Sequence, residues 1–171
     1  MKFGIAVFPS KDVQDFANSY RKRYDPHYNL IPPHLTIREP AEGSVEDMQR
    51  ALEHLDQLAA RKKPFSVRFN RFSTFYPSSN VVYMALEDPQ PFIRLYEEVC
   101  SGSLQQENPR HHYNPHLTVG QEMTSDELQD VYAGLRKVKV DLQTEIDRIH
   151  LLGQIEGRPW SIQRTFLFQG R

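Results

Sequence analysis

Two short segments carry the residue types that acid–base chemistry needs. His34-Leu35-Thr36-Ile37 follows Pro32-Pro33, and His116-Leu117-Thr118-Val119 follows Asn114-Pro115. In a strand, residues i and i+2 share a face. His34 and Thr36 would therefore project together, and so would His116 and Thr118. Leu35, Ile37, Leu117 and Val119 would turn the other way, into apolar packing. The preceding prolines stiffen each entry. Each segment thus reads as a rigid mount for one imidazole and one hydroxyl. A single His-x-Thr pair is weak evidence, but two inside Pro-His-Leu-Thr-aliphatic are hard to reach by accident.

Facing each other across one cleft, the two mounts supply what phosphoester chemistry requires. A neutral imidazole can take a proton from water, and a protonated one can give a proton to the departing oxygen. Histidine suits both roles because it titrates near neutrality. Threonine hydroxyls can donate to the non-bridging phosphoryl oxygens, where charge builds up. Such a set calls for no metal and no organic cofactor. Two blander readings compete with it. One is a pair of edge strands with solvent-facing polar residues. The other is a metal site at His111, His112 and His116, which lacks an Asp, Glu or Cys at convincing spacing.

The elements that must position these residues are legible from periodicity. Phe3 to Phe8 reads as a buried strand. A helix follows, with Val13, Phe16, Ala17, Tyr20 and Tyr24 on one face and Ser10 as its cap. Leu35 to Arg38 is a strand ended by Pro40. Ser44-x-x-Asp47 opens a second helix with Val45, Met48, Leu52, Leu55 and Leu58 inward. Phe65 to Asn70 alternates as a half-buried strand, and Val81 to Leu86 returns after the turn at 77–80. The second half replays this order: a helix around Phe92, Leu95, Tyr96 and Val99, the strand 116–119, and a helix opened by Thr124-x-x-Glu127. A strand follows from Val138 through Leu151, and a last one from Trp160 to Phe168. The expectation is a single α+β domain over residues 1–171 with two pseudo-symmetric lobes. Two mainly antiparallel sheets would line a central cleft, with helices on their outer faces.

Bulk properties narrow the function classes. The chain has 171 residues and a formal net charge of −1. No strong field draws it onto long nucleic acid or anionic lipid. Arg21-Lys22-Arg23 reads as a solvated helix end. The single cysteine, Cys100, permits no internal disulfide and fits a small buried hydrophobe. No apolar run is long enough for a signal peptide or a membrane span, so a cytoplasmic location is expected.

Some residues near the motifs are weaker candidates. Arg38, at i+4 from His34, could share its face and approach a phosphate, or could pair with Glu39 or Glu42. The loops 25–29 and 111–115 lead into the two His-Thr strands and are placed to touch substrate. Tyr76, Tyr83 and Tyr113 could stack on a base. His54 and His150 read as ordinary satisfied histidines.

With these motifs the chain resembles the two-histidine (2H) phosphoesterase superfamily, which is defined by paired His-x-Thr/Ser-x motifs in a duplicated α+β fold. Its start, MKFGIAVFPSKDVQDFANSYRKRYDP, and the segment LIPPHLTIREP are similar to the YjcG-like group of Gram-positive bacteria. The resemblance spans essentially the whole chain. It implies a bilobal fold with both motifs in the cleft and hydrolysis of a cyclic phosphodiester, such as the 2′,3′-cyclic phosphate of an RNA end or nucleotide derivative. It implies His34 as proton donor, His116 as proton acceptor, and Thr36 and Thr118 as phosphate ligands. Some superfamily members run the reaction towards RNA ligation. The alternative to an enzyme is a module that holds a phosphorylated nucleotide or RNA end without turning it over.

Overall fold

The computed structural model describes residues 1–105 and 112–171. In chain order the elements are β1 (Lys2–Val7), α1 (Lys11–Tyr24), β2 (Leu35–Glu42), α2 (Val45–Arg61), β3 (Phe65–Thr74), β4 (Val82–Leu86), α3 (Gln90–Val99), β5 (His116–Gly120), α4 (Ser125–Leu135), β6 (Leu142–Ile146), β7 (Arg148–Gln154) and β8 (Ser161–Leu167). They form two four-stranded sheets, ordered β2-β1-β7-β8 and β5-β4-β3-β6. Every pairing is antiparallel. The expected α+β architecture with two antiparallel sheets is the one observed.

Each His-Thr strand lies at the edge of its sheet, and the two edges approach each other, with Cα atoms of β2 and β5 within 8 Å. Helix α1 packs on β5 and β6, and α3 packs on β2. A helix that follows one sheet's strand therefore braces the other sheet. One buried apolar cluster runs through both sheets, from Ile5 and Leu35 to Met84, Leu117 and Phe166. Burying these side chains is the main term that holds the two edges together.

Local signals set the helix boundaries. In α2, Ser44 Oγ accepts from the Asp47 backbone N–H at 3.1 Å, and Asp47 Oδ2 accepts from the Ser44 N–H at 3.3 Å. Thr124 Oγ1 likewise accepts from the Glu127 N–H at 3.2 Å at the start of α4. Ser10 precedes α1, but its hydroxyl donates to the Asp12 carboxylate instead of capping the helix N–H groups. Pro89 and Pro91 open α3, where their missing N–H groups cost nothing.

Besides the Ser10 cap, four expectations need correction. The run from Val138 to Leu151 is two strands rather than one: Ile146 pairs with Phe65 in one sheet, and Ile149 pairs with Phe166 in the other. Asp147 is the break, and the chain crosses between sheets there. β6 is buried at alternate positions and β7 at five consecutive ones, so no single period could describe both. Strand β2 does not end at Pro40 but runs to Glu42, because an edge strand tolerates a residue without an N–H. Val45 is 77% exposed, since it sits in the overhanging first turn of α2. Arg21 is not a solvated helix end: it is 1% exposed and continues the buried stripe Val13, Ala17, Arg21.

Candidate active site

Strand alternation places the four motif residues as their spacing requires. Leu35, Ile37, Leu117 and Val119 are at most 1% exposed, while His34, Thr36, His116 and Thr118 are half-buried on the opposite face. Those four residues line one cavity of ≈ 540 Å³ together with Arg38, Glu39, Asp25, His27, Gln121 and Trp160. The register fixes the mounts from behind: Thr36 opposes Ala6 on β1, Thr118 opposes Tyr83 on β4, and His116 opposes Ala85.

Both imidazoles are oriented by the same device. His34 Nδ1 lies 2.9 Å from the Pro32 carbonyl, and His116 Nδ1 lies 2.7 Å from the Asn114 carbonyl. A carbonyl only accepts, so each Nδ1 carries the hydrogen and donates it. Nε2 is then the basic nitrogen of each neutral ring, left free for proton transfer. The backbone carbonyl two residues upstream of each histidine thus selects its tautomer. His116 is further held edge-on by Phe75 (4.8 Å between ring centroids, 87°) and Tyr83 (5.5 Å, 66°).

The electrostatic surroundings of the two rings differ. Burial pulls the His34 pKa down to about 4, against the opposing pull of its bond to Pro32. Arg21 and His116 lower it further, and Asp25 acts the other way. Burial also lowers His116, countered by the bond to Asn114 and by the carboxylate of Glu39. The two rings feel each other's charge, so protonating one disfavours protonating the other.

Two side-chain bonds flank the second motif, one reaching β2 and the other the end of α1. Tyr113 Oη donates to the Thr36 carbonyl at 2.8 Å, and its ring stacks on Tyr96 at 4.2 Å. Gln121 Nε2 donates to Asp25 Oδ1 at 2.8 Å. Asp25 is itself buried: its Oδ2 accepts from Arg21 Nε at 3.1 Å, and its Oδ1 also accepts from the His27 N–H at 2.9 Å. Arg21 Nη2 in turn donates to the Ile31 carbonyl at 2.7 Å, which pins the loop leading into β2. Sequence reading missed this network. The signal available was the i, i+4 spacing of Arg21 and Asp25 on the buried stripe of α1.

Among the weaker candidates, Arg38 does line the cavity. Its Nε donates to the Leu104 carbonyl at 3.1 Å, rather than to Glu39 or Glu42. Among the described residues none of Tyr76, Tyr83 and Tyr113 lines it; Trp160, whose backbone N–H donates to the Leu30 carbonyl at 2.8 Å, does. His111 lies outside the described residues, and His112 is exposed away from the cavity. Among the described residues no group of three or more His, Cys, Asp or Glu could hold a metal ion. His54 and His150 are bonded within the protein, the first to the Glu98 and Val99 carbonyls and the second to Thr165 Oγ1. Burial pushes the Cys100 thiol up to about 11, which leaves it protonated at neutral pH. No helix among the described residues is long and apolar enough to cross a membrane.

Comparison with known proteins defines the class. The family described as "2'-5' RNA ligase superfamily" matches residues 9–158. Relatives carrying the name "Putative phosphoesterase" are 44% identical over 171 residues in Geobacillus sp. (strain WCH70), covering 100% of this chain and 98% of the relative, and 43% identical over 167 residues in Bacillus licheniformis, covering 98% of each. The chain belongs to the 2′-5′ RNA ligase superfamily, the two-histidine phosphoesterases. The fold agrees with E. coli LigT complexed with 3′-AMP (TM-score 0.75, 13% identity, 98% of this chain and 97% of that one). It agrees equally with TT0787 of Thermus thermophilus (TM-score 0.74, 18% identity, 100% of both chains).

Proposed function

We propose that this protein is a metal-independent phosphoesterase that opens a cyclic phosphodiester, of the 2′,3′-cyclic phosphate type, through His34 and His116. The observation that supports the reading is the pair of imidazoles whose Nε2 atoms have no protein partner among the described residues, each with a threonine of its own motif in one cavity. Thr36 and Thr118 donate to the non-bridging oxygens of the bound phosphate. One neutral imidazole takes a proton from water as its oxygen attacks phosphorus. The other, protonated, gives its proton to the ribose oxygen as the P–O bond breaks, and the ring opens to a monoester. Hydroxyl donors fixed on strands stabilise the charge that accumulates on those oxygens, which supports the reading.

The family resemblance implies His34 as the donor and His116 as the acceptor. The free protein's electrostatics favour the reverse: burial, with Arg21 adding to it, holds His34 down to about 4, whereas at His116 the bond to Asn114 and the Glu39 carboxylate oppose the effect of burial. A leaving-group comparison decides between them. The variant that lacks the acid recovers activity on an aryl phosphodiester, whose leaving group needs no proton, and the variant that lacks the base does not.

The primary test is hydrolysis of nucleoside 2′,3′-cyclic phosphates by the wild type, His34→Gln and His116→Gln. Each substitution is expected to lower turnover by about 10²–10⁴-fold, the usual share of a positioned proton-transfer group. The thermal midpoint should stay near wild type, and activity should survive a chelator. Full activity in either variant sinks the assignment. A protein that binds these compounds without turning them over is the binding module instead.

A further inference from the structure

The pairing of β2 with β1 is irregular next to the motif. Thr36 opposes Ala6 and Arg38 opposes Ile5, so two steps on β2 answer one step on β1. A second irregularity lies between Arg38, opposite Ile5, and Ala41, opposite Phe3. Bulges of this kind re-aim side chains. The first sets Arg38 opposite Ile5, the residue next to the partner of Thr36. The second breaks alternation, so that Arg38, Glu39 and Pro40 all line the cavity.

Among the described residues lining this cavity, Arg38 is the one lysine or arginine. Its Nε is fixed on the Leu104 carbonyl, and its two Nη groups have no protein partner among the described residues. The guanidinium is therefore anchored at one corner with its fork unspent. Nearby carboxylates do not absorb it. Asp25 already accepts from Arg21, His27 and Gln121, and Glu39 is exposed and acts on His116. A planar fork with two free N–H edges matches phosphate oxygens.

We propose that Arg38 binds a second phosphate of the substrate, one nucleoside unit away from the phosphate held by Thr36 and Thr118. The preferred substrate class is thus a cyclic phosphate that bears a further phosphate on its 5′ side. That group is either a terminal 5′-phosphate or the next phosphodiester of an RNA chain. The inference rests on the reading of the two threonines as the seat of the first phosphate. It concerns which molecule fits, not how the bond is broken.

Its test is calorimetric binding of non-reactive compounds, which stays informative whether or not turnover is seen. Nucleoside 3′,5′-bisphosphate and a dinucleotide ending in a 3′-phosphate are compared with nucleoside 3′-monophosphate. Wild type is expected to prefer at least one two-phosphate compound by about tenfold, the value of one charge-assisted pair. Arg38→Met should collapse that ratio to about threefold or less, and Arg38→Lys should retain an intermediate preference, with folding of both checked by thermal midpoint. Which of the two compounds is favoured identifies the source of the second phosphate. Equal binding of all three by wild type overturns the proposal, as does a preference that persists in Arg38→Met. If binding shows the preference but no cyclic phosphate is hydrolysed, the catalytic reading fails while this one stands.

Discussion

The buried ion pair beneath the first motif offers the sharpest structural test. Arg21 and Asp25 have side chains only 2% and 3% exposed and meet at 3.1 Å. Asp25→Ala removes three accepted bonds at once, from Arg21 Nε (3.1 Å), the His27 N–H (2.9 Å) and Gln121 Nε2 (2.8 Å). Arg21 keeps two neutral acceptors, the Ile31 carbonyl at 2.7 Å and Asn18 Oδ1 at 2.8 Å, but loses its counter-charge in a buried setting. Removing one partner of such a pair costs about 3–5 kcal/mol, and the remaining bonds place this case at the low end, about 3 kcal/mol. For a domain of this size that is a fall in thermal midpoint of roughly 6–12 °C. Scanning calorimetry on Asp25→Ala measures it. The double variant Arg21→Met/Asp25→Leu should recover part of the loss, because it removes both charges and leaves apolar bulk. Since Asp25 and Gln121 also line the cavity and tie the end of α1 to the exit of β5, Asp25→Ala should raise KM for a cyclic phosphate substrate. A midpoint within about 2 °C of wild type, or a double variant less stable than the single one, would refute the reasoning.

Three further outcomes follow from named contacts. With its pKa held down to about 4, His34 is expected to stay neutral through the range where a free imidazole titrates. The unfolded chain then binds the extra proton, so this contribution to stability is complete above about pH 6.5 and is lost as pH falls towards 4; an NMR titration of His34, showing a midpoint near 6.5 instead, would contradict it. Tyr113→Phe deletes the donor to the Thr36 carbonyl and should cost about 1 kcal/mol in urea unfolding, with a lower kcat/KM from the loosened strand edge. In Gly170→Ala the new Cβ would clash with the backbone of Arg61 and Lys62 rather than with a flexible side chain. Destabilisation of about 1–3 kcal/mol is expected there, and an unchanged urea midpoint would show that the chain end is free to shift.

The sequence by itself determined the two mounts. Proline entry, a period of two, and the choice of His and Thr at i and i+2 are local facts, so strand formation alone aims both side chains to one face. Most of the elements were equally legible, because burial imposes its period on each of them. Which strands share a sheet was not legible. The run 138–151 looked like one strand because pairing partners lie far off in the chain, and only those partners reveal the break at Asp147. Tertiary structure alone decided that the two motif strands are edges that meet. It also decided that Tyr113 bonds to the β2 edge, that Gln121 bonds to Asp25 at the end of α1, and that Arg21 is buried. The tautomers of His34 and His116 and the bulges that bring Arg38 and Glu39 into the cavity belong to the same class. These depend on where a distant carbonyl, carboxylate or neighbouring strand comes to rest, and one-dimensional spacing carries no record of that.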